Sequence, residues 1–451
     1  MSLPAESLEP VELLSQDGRV ATDQPSSGQP KLRAGSIWAF LGAYLGAYLI
    51  LIVPVATTLA IKVSEVAGDQ RESALGVIAG VGALIALLSN PIIGAFSDRT
   101  TSRWGMRRPW IFGGVLLGFA SLMVLAFAPS VLVVGIAWAF VQLSMNAVLA
   151  GLAAFLPDRV PEVQRGKVSA FTGIAQQVAP FFGLLVANIA LGMGGGTAGM
   201  FIAPGSLGLL LILVYVFTTR DRVLSPNLRQ PMRFATVFQA FAFNPRRNPD
   251  FAWAWLGRFL ITLSFAAGAT YQVYFLNDRL GIDMATVATL QLGVLLLTTI
   301  LLSVSASISG ALSDRLKRRK VFVFVASALV ATGSLVTAFS FDLWVYVIGA
   351  AISGIATGVY FAVDLALVTE VLPNKETAAA KDMGIFNIAN ALPQSLAPAL
   401  APLLLGIGGS GNYTALFLGA ALVAILGALT VIPIKKVRWH GHVQTSSPRR
   451  L

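Results

Sequence analysis

The chain has 451 residues, of which 56% are hydrophobic and only 12% charged, and its mean hydropathy is +0.75. That leaves too little polar surface for a soluble globule of this size, so most of the chain must meet lipid. The formal charge of +11 does not point to nucleic acid, because a basic docking face needs a folded domain outside the apolar runs.

Residues 1–35 are polar, rich in Ser, Pro, Glu and Gln, and without apolar period, and they read as a disordered N-terminal tail. The first apolar run opens near Ser36 and continues to about Ala60. It is too long and too far from the start for a cleaved signal peptide, so it is expected to span a bilayer, which takes about 20 apolar residues. Further runs open near Ser73, Pro109, Val131, Lys167 and Ala198, which completes a six-helix bundle over 36–218. A polar linker, 219–250, follows. Six more runs, from Phe251, Met284, Val321, Leu343, Met383 and Tyr413, fill a second bundle over 251–434, and a basic tail occupies 435–451. Cysteine is absent and the two histidines, His440 and His442, sit in that tail, so neither a metal centre nor a disulfide is expected, and no cofactor.

The charges between the runs alternate. With both termini in the cytoplasm, 28 of the 32 Lys and Arg residues fall on the cytoplasmic side, as the positive-inside rule requires. Only Lys62, Arg71 and Arg279 lie opposite, and Arg258 falls inside the seventh run. The basic balance is thus a statement of topology. The fold expected is all-α, with twelve transmembrane helices in two six-helix bundles and a lipid bilayer as the main partner.

The bundles are related. Gly94-Ala95-Phe96-Ser97-Asp98-Arg99 recurs as Gly310-Ala311-Leu312-Ser313-Asp314-Arg315, an offset of 216, and Leu156-Pro157 recurs as Leu372-Pro373 at the same offset. At 214, Lys167 matches Lys381 and Gln176 matches Asn390. Duplicated bundles of this kind place one substrate site between two halves that rock around it. In the loop GAFSDRTTSRWGMRR, Gly94 would admit another helix, Asp98 would accept from a helix N-terminus, and the arginines would pair with that Asp and with helix C-terminal carbonyls. The positive-inside rule accounts for the arginines but for neither Gly94 nor Asp98 nor their recurrence.

These loops resemble the signature motif of the major facilitator superfamily, present in both halves, and the resemblance covers Ser36 to about Pro433. It implies a latch at the cytoplasmic ends of the bundles, carried by Gly94, Asp98, Arg99, Arg107 and Arg108, and more weakly by Gly310, Asp314 and Arg315. The longer form SDRTTSRWGMRRPWI, with MGIFNIANALPQ from Met383 to Gln394, is similar to the sucrose and glycoside branch, the glycoside-pentoside-hexuronide type of proton symporter. That branch has an Asp midway along the fourth helix and an Arg nearer its end; here Gln142 and Ala153 stand there, so proton symport by the usual site is not implied.

Polar side chains within spans are costly unless they face a watery cavity or the bundle interior. Gln142 and Asn146 share a face of the fourth span, and Asn387, Asn390 and Gln394 share one of the eleventh. Gln176 is the repeat partner of Asn390. With Tyr271, Tyr274 and Tyr360 as stacking rings, these amides suit a neutral, hydroxyl-rich ligand, although amides also bond helix to helix in membranes. Asp364 is the one carboxylate well inside a span, where unpaired burial would cost about 3 kcal/mol. It lies about 9 Å deep by helical rise, as deep as Arg258, so an Asp364–Arg258 ion pair and a proton-coupling Asp364 both stand open.

The functions left open are a secondary transporter of a glycoside or similar neutral polar metabolite, proton-coupled or facilitative, an exporter of amphipathic compounds, and a non-transporting sensor. An enzyme lacks its parts: the spans hold no His, no Cys and no carboxylate pair. A monomer in a bacterial plasma membrane is expected, with a small molecule, and protons where coupling applies, as further partners.

Overall fold

The computed structural model describes residues 32–224, 245–373, 379–409 and 411–435. Most of the expected N-terminal tail, linker and C-terminal tail lies outside these residues, among which every regular element is helical.

α1 (Ala34–Val53) runs through a π-helical turn, Pro54–Thr58, into α2 (Leu59–Ala67). Pro54 has no N–H to donate back along the helix, and the wider turn absorbs the missing bond. At Gly68, with φ at 53°, the chain reverses into α3 (Arg71–Ser97). α4 (Arg108–Ala126), α5 (Val131–Arg159) and α6 (Glu162–Ala190) follow; the left-handed Gly194 and Gly196 then turn the chain into α7 (Gly196–Thr218). α8 (Pro249–Tyr274) extends through a π-helical turn, Phe275–Arg279, and α9 (Met284–Leu316), α10 (Arg319–Ala338), α11 (Leu343–Val371), α12 (Ala379–Leu405) and α13 (Tyr413–Leu429) complete the set. Asp283, Asp342 and Asn412 cap α9, α11 and α13 with side-chain oxygens on free N–H groups.

The helices overrun the expected apolar runs. α1 starts at Ala34, and α2 carries Lys62 as a buried residue paired with Glu65. α6 starts at Glu162, so Arg165 and Lys167 belong to its first turns. Apolar content marks only the hydrocarbon-crossing part, whereas a helix continues while its backbone bonds are satisfied. Among the described residues, nine stretches are long and apolar enough to cross a membrane. Two of them, Ala34–Ser97 and Val163–Thr218, are 64 and 56 residues long and fold back at the glycine turns just named. α13, at 17 residues, is apolar but shorter.

Lipid supplies no hydrophobic push between helices, so close crossings use small residues. α1 meets α7 where Gly46 faces Gly208: a Cβ on Gly46 would stand 2.6 Å from the Gly208 oxygen. α1–α7 pack as one set and α8–α13 as another, and α3 against α12 and α6 against α9 join them. The join is lopsided. The apolar core of the first set runs on into Tyr271, Tyr274, Phe275, Tyr413 and Phe417, at one end of the second set. The remaining core of the second set, around Phe251, Tyr360, Leu367 and Phe386, is a separate cluster toward the opposite end.

Candidate functional site

Arg258 on α8 and Asp364 on α11 meet between the helices of the second set. Arg258 Nη1 donates to Asp364 Oδ2 at 2.5 Å, and Nη2 lies 3.4 Å from Asn390 Oδ1 on α12. Asp364 is 2% exposed, and Tyr360, one turn before it, places its phenol against the same carboxylate. The guanidinium sits over the rings of Phe361 and Phe386, 4.7 and 5.4 Å from their centroids, and the ring faces hold the cation in place of water. Arg258 Nε has no partner among the described residues. The structure thus brings together Arg258 and Asp364, the two residues reckoned to equal depth, and adds Asn390, Tyr360, Phe361 and Phe386 to them.

The amides divide. Gln142 and Asn146 are both buried, and Asn146 Nδ2 turns back along α5 to the Gln142 oxygen at 2.9 Å. Asn387, Gln394 and Gln176 are exposed, and Gln394 Nε2 donates to the Asn390 carbonyl at 3.0 Å. The turns of α12 after Gln394 are covered: a Cβ on Gly80 of α3 would stand 3.1 Å from the Ser395 oxygen, and one on Gly76 2.6 Å from the Pro398 oxygen. The face bearing Asn387 and Gln394 is therefore continuous with a surface that is shut a turn further along.

At that shut end lies a cluster with no counterpart in the sequence reading. Arg71 of α3 pairs with Asp278 in the turn after α8, its Nη1 donates to Asn277 Oδ1 at 3.3 Å, and its guanidinium covers the Tyr274 ring. The Tyr413 hydroxyl lies 2.5 Å from Asp278 Oδ2 and 3.1 Å from Glu72 Oε1. The Tyr274 hydroxyl donates to the Ala60 carbonyl at 2.9 Å, and Asn188 Nδ2 donates to the Ala288 carbonyl at 3.2 Å. Tyr271, fully buried, is part of this cluster and not of the Arg258 site: its hydroxyl is shared between the carbonyls of Glu72 and Pro398, each 3.0 Å away. Pro398 needs such a donor, because the residue four places on is Pro402, which has no N–H. The only signal in sequence was the presence of Arg71 and Arg279 on the side nearly empty of basic residues.

The opposite end carries the repeated motif. Arg107, at the head of α4, pairs with Asp98 at the foot of α3 and, at 3.5 Å, with Asp158 at the foot of α5. Arg319, at the head of α10, likewise reaches Asp314 at 3.4 Å and Glu370 at 2.7 Å. Each arginine thus ties three helices of its own set, an internal repeat in geometry that the offset of 216 does not show, since Arg107 and Asp158 match Arg319 and Glu370 at 212 instead. Asp221, beyond α7, accepts from the N–H groups of Arg107 and Arg108 at 2.6 and 3.0 Å. Arg99 Nη1 donates to the Ala95 carbonyl at 2.5 Å. Gly94, expected to admit another helix, has nothing within 4 Å of a Cβ placed on it, and Gly310 only Ala362 at 3.9 Å. Arg315 lies in the last turn of α9 and is exposed.

Comparison with known proteins follows the same outline. The model of the Major Facilitator Superfamily matches residues 35–316 and 284–444. An uncharacterized symporter of Synechocystis is 43% identical over 53 residues, 12% of this chain and 10% of the relative. The general alpha-glucoside permease of Schizosaccharomyces pombe is 26% identical over 137 residues, 27% of this chain and 25% of the relative. The chain thus aligns with a quarter or less of these curated relatives. Among solved structures, the nucleoside transporter NupG superposes with a TM-score of 0.68 at 14% identity, over 89% of this chain and 98% of that one. A peptide transporter, POT, gives 0.68 at 17% identity, over 90% and 95%. At such identities the two structures speak for the fold alone.

Proposed function

The chain belongs to the Major Facilitator Superfamily, and from that premise we propose that this secondary transporter moves a glycoside or similar neutral polar metabolite across a bacterial plasma membrane by alternating access. The observation that carries the reading is the face of α12. Its Asn387 and Gln394 are exposed, while its later turns are closed against α3 at Gly76 and Gly80. A binding surface open to one end and sealed from the other is what one state of such a carrier needs. The two folded-back stretches and α13 bring the crossings to twelve, and the positive-inside rule puts the basic loops in the cytoplasm, which makes this state inward-open.

Amides and Tyr360 suit hydroxyl groups, and Arg258 with Asp364 is the place where a proton would couple, because loss of the carboxylate charge frees the guanidinium. The similarity to the Schizosaccharomyces pombe alpha-glucoside permease supports the substrate class, and that to the Synechocystis symporter supports coupling. One observation favours an exporter of amphipathic compounds instead, namely the aromatic wall of Phe265, Phe361 and Phe386 beside Arg258.

Uptake of labelled mono- and disaccharides into proteoliposomes, with and without a pH gradient, tests the reading. Saturable uptake of at least one glycoside is expected. Failure with the whole panel, together with extrusion of an amphipathic dye, assigns the chain to the exporters. Asp364→Asn is expected to abolish gradient-driven accumulation and to spare exchange; accumulation that survives the change assigns the proton to another group.

A further inference from the structure

The cluster at the shut end does more than fasten the two sets together. The Tyr413 hydroxyl has one proton, yet it stands within hydrogen-bonding distance of two carboxyl groups, Asp278 at 2.5 Å and Glu72 at 3.1 Å. A hydroxyl donates once and accepts twice. If both carboxyls were ionised, one of the two contacts would bring together lone pairs with no hydrogen between them, and two negative charges would converge on a single oxygen. Arg71 supplies one positive charge, and it is directed at Asp278. The arrangement is complete if Glu72 carries a proton: Glu72 then donates to the Tyr413 oxygen, Tyr413 donates to Asp278, and Asp278 is neutralised by Arg71. A protonated Glu72 keeps a carbonyl oxygen to accept from the Gly411 N–H, which is directed at the same side chain.

We propose that Glu72 is a proton-binding site of the outer gate, loaded while the outer mouth is shut and emptied when it opens. The inference rests on the alternating-access reading but not on the identity of the substrate. The participants come from both sets: Arg71 and Glu72 from α3, Asp278 from the turn after α8, Tyr413 from α13. Separation of α3 from α12 and α13 would take Glu72 away from Tyr413 and leave it facing water, where a carboxyl group gives up its proton. The groups that face Glu72 are Arg71 on its own helix, Tyr271 and Tyr274 on α8, Asp278 and Tyr413. Arg279 turns aside, to Thr414 and the Phe341 ring. Asp364 belongs to a separate cluster, with Arg258, Asn390 and Tyr360. The outer gate is thus a second place where external acidity acts on the carrier, and acidity there favours the closed mouth.

The absence of cysteine lets one experiment decide. Spin labels at Gln70→Cys and Ile407→Cys, exposed positions on the two sets at this end, report the width of the mouth by double electron–electron resonance in lipid nanodiscs. In the otherwise unchanged chain the short-distance population is expected to give way to a longer one as pH rises. Glu72→Gln, whose amide donates to Tyr413 at any pH, is expected to hold the short distance throughout, and Glu72→Asp to keep the pH response. A pH response that is absent from the parent, or unchanged in Glu72→Gln, overturns the proposal. Tyr413→Phe removes the bridging oxygen and is expected to lengthen the distance at every pH. If it does not, the gate itself is refuted, which is distinct from a failure of the proton.

Discussion

Asp364 and Arg258 show what a buried pair means inside a membrane. Each is tolerable because of the other: removal of one partner strands a charge at a depth where water is scarce, whereas removal of both leaves only packing to repair. Asp364→Ala is therefore expected to destabilise the protein by about 3–5 kcal/mol, and Arg258→Met with Asp364→Leu by much less. Thermal unfolding in a mild detergent measures both, and a double variant no more stable than the single one would show that Asn390, Phe361 and Phe386 carry the cation alone. The pairing was legible from sequence because one carboxylate and one guanidinium at equal depth in apolar helices have few other ways to be satisfied. Tyr271 was not so legible: an aromatic amphipathic residue in a span suits a ligand and a helix contact equally well, and only its bonds to Glu72 and Pro398 separate the two.

At the scale of the helix, α12 is instructive, since its Pro393, Pro398 and Pro402 free carbonyls that must find donors elsewhere. Tyr271→Phe leaves the Pro398 oxygen without its donor and is expected to cost about 1–3 kcal/mol. In a Pro402→Ala background the helix itself supplies an N–H to that oxygen, so the same change is expected to cost less. Unfolding of the four proteins of this cycle gives the coupling directly, and equal costs in both backgrounds would exclude the carbonyl as the reason for the contact. That the chain is helical and crosses a bilayer repeatedly was readable from its long apolar runs, because their length follows from a bilayer's thickness. Which helix ends are tied to which was not read: Arg107 reaches Asp158 and Arg319 reaches Glu370, and this pair recurs at an offset of 212, four residues short of the 216 at which Asp98 recurs as Asp314, so the motif's own offset misses it. Nor did spacing show that the glycines in close contact on α3 are Gly76, Gly80 and Gly82, whereas a Cβ on Gly94 would meet nothing within 4 Å among the described residues.

For the whole molecule, that contrast becomes a pair of opposed expectations. Gly76→Leu would drive a side chain into Pro398 and Pro402 and is expected to open the outer mouth. Gly94→Leu meets nothing within 4 Å here, so it should change the stability of this state by no more than about 0.5 kcal/mol, read by thermal unfolding, and yet slow transport by obstructing the cytoplasmic closure expected of the signature motif. Asp98→Ala is expected to bias the carrier toward the inward-open state, visible as greater labelling of cysteines introduced on the cytoplasmic side. Equal effects of the two leucines on both measurements would remove the distinction between the ends.

The stripe on α3 that carries these glycines sets the scale of the motion. Gly76 and Gly94 are eighteen residues apart, five whole turns, so they lie on one line along the same face, about 27 Å from each other. While its upper turns are seated on α12 near Gly76, a swing of the helix about that contact would move its far tip the most. Each ten degrees of swing carries the far tip through an arc of about 5 Å while the seat hardly slides, by the same rise per residue. A modest rotation at one mouth would thereby be geared into a wider displacement at the other, with Pro91, three residues before Gly94, as the place where the helix lacks its own backbone bond and can bend.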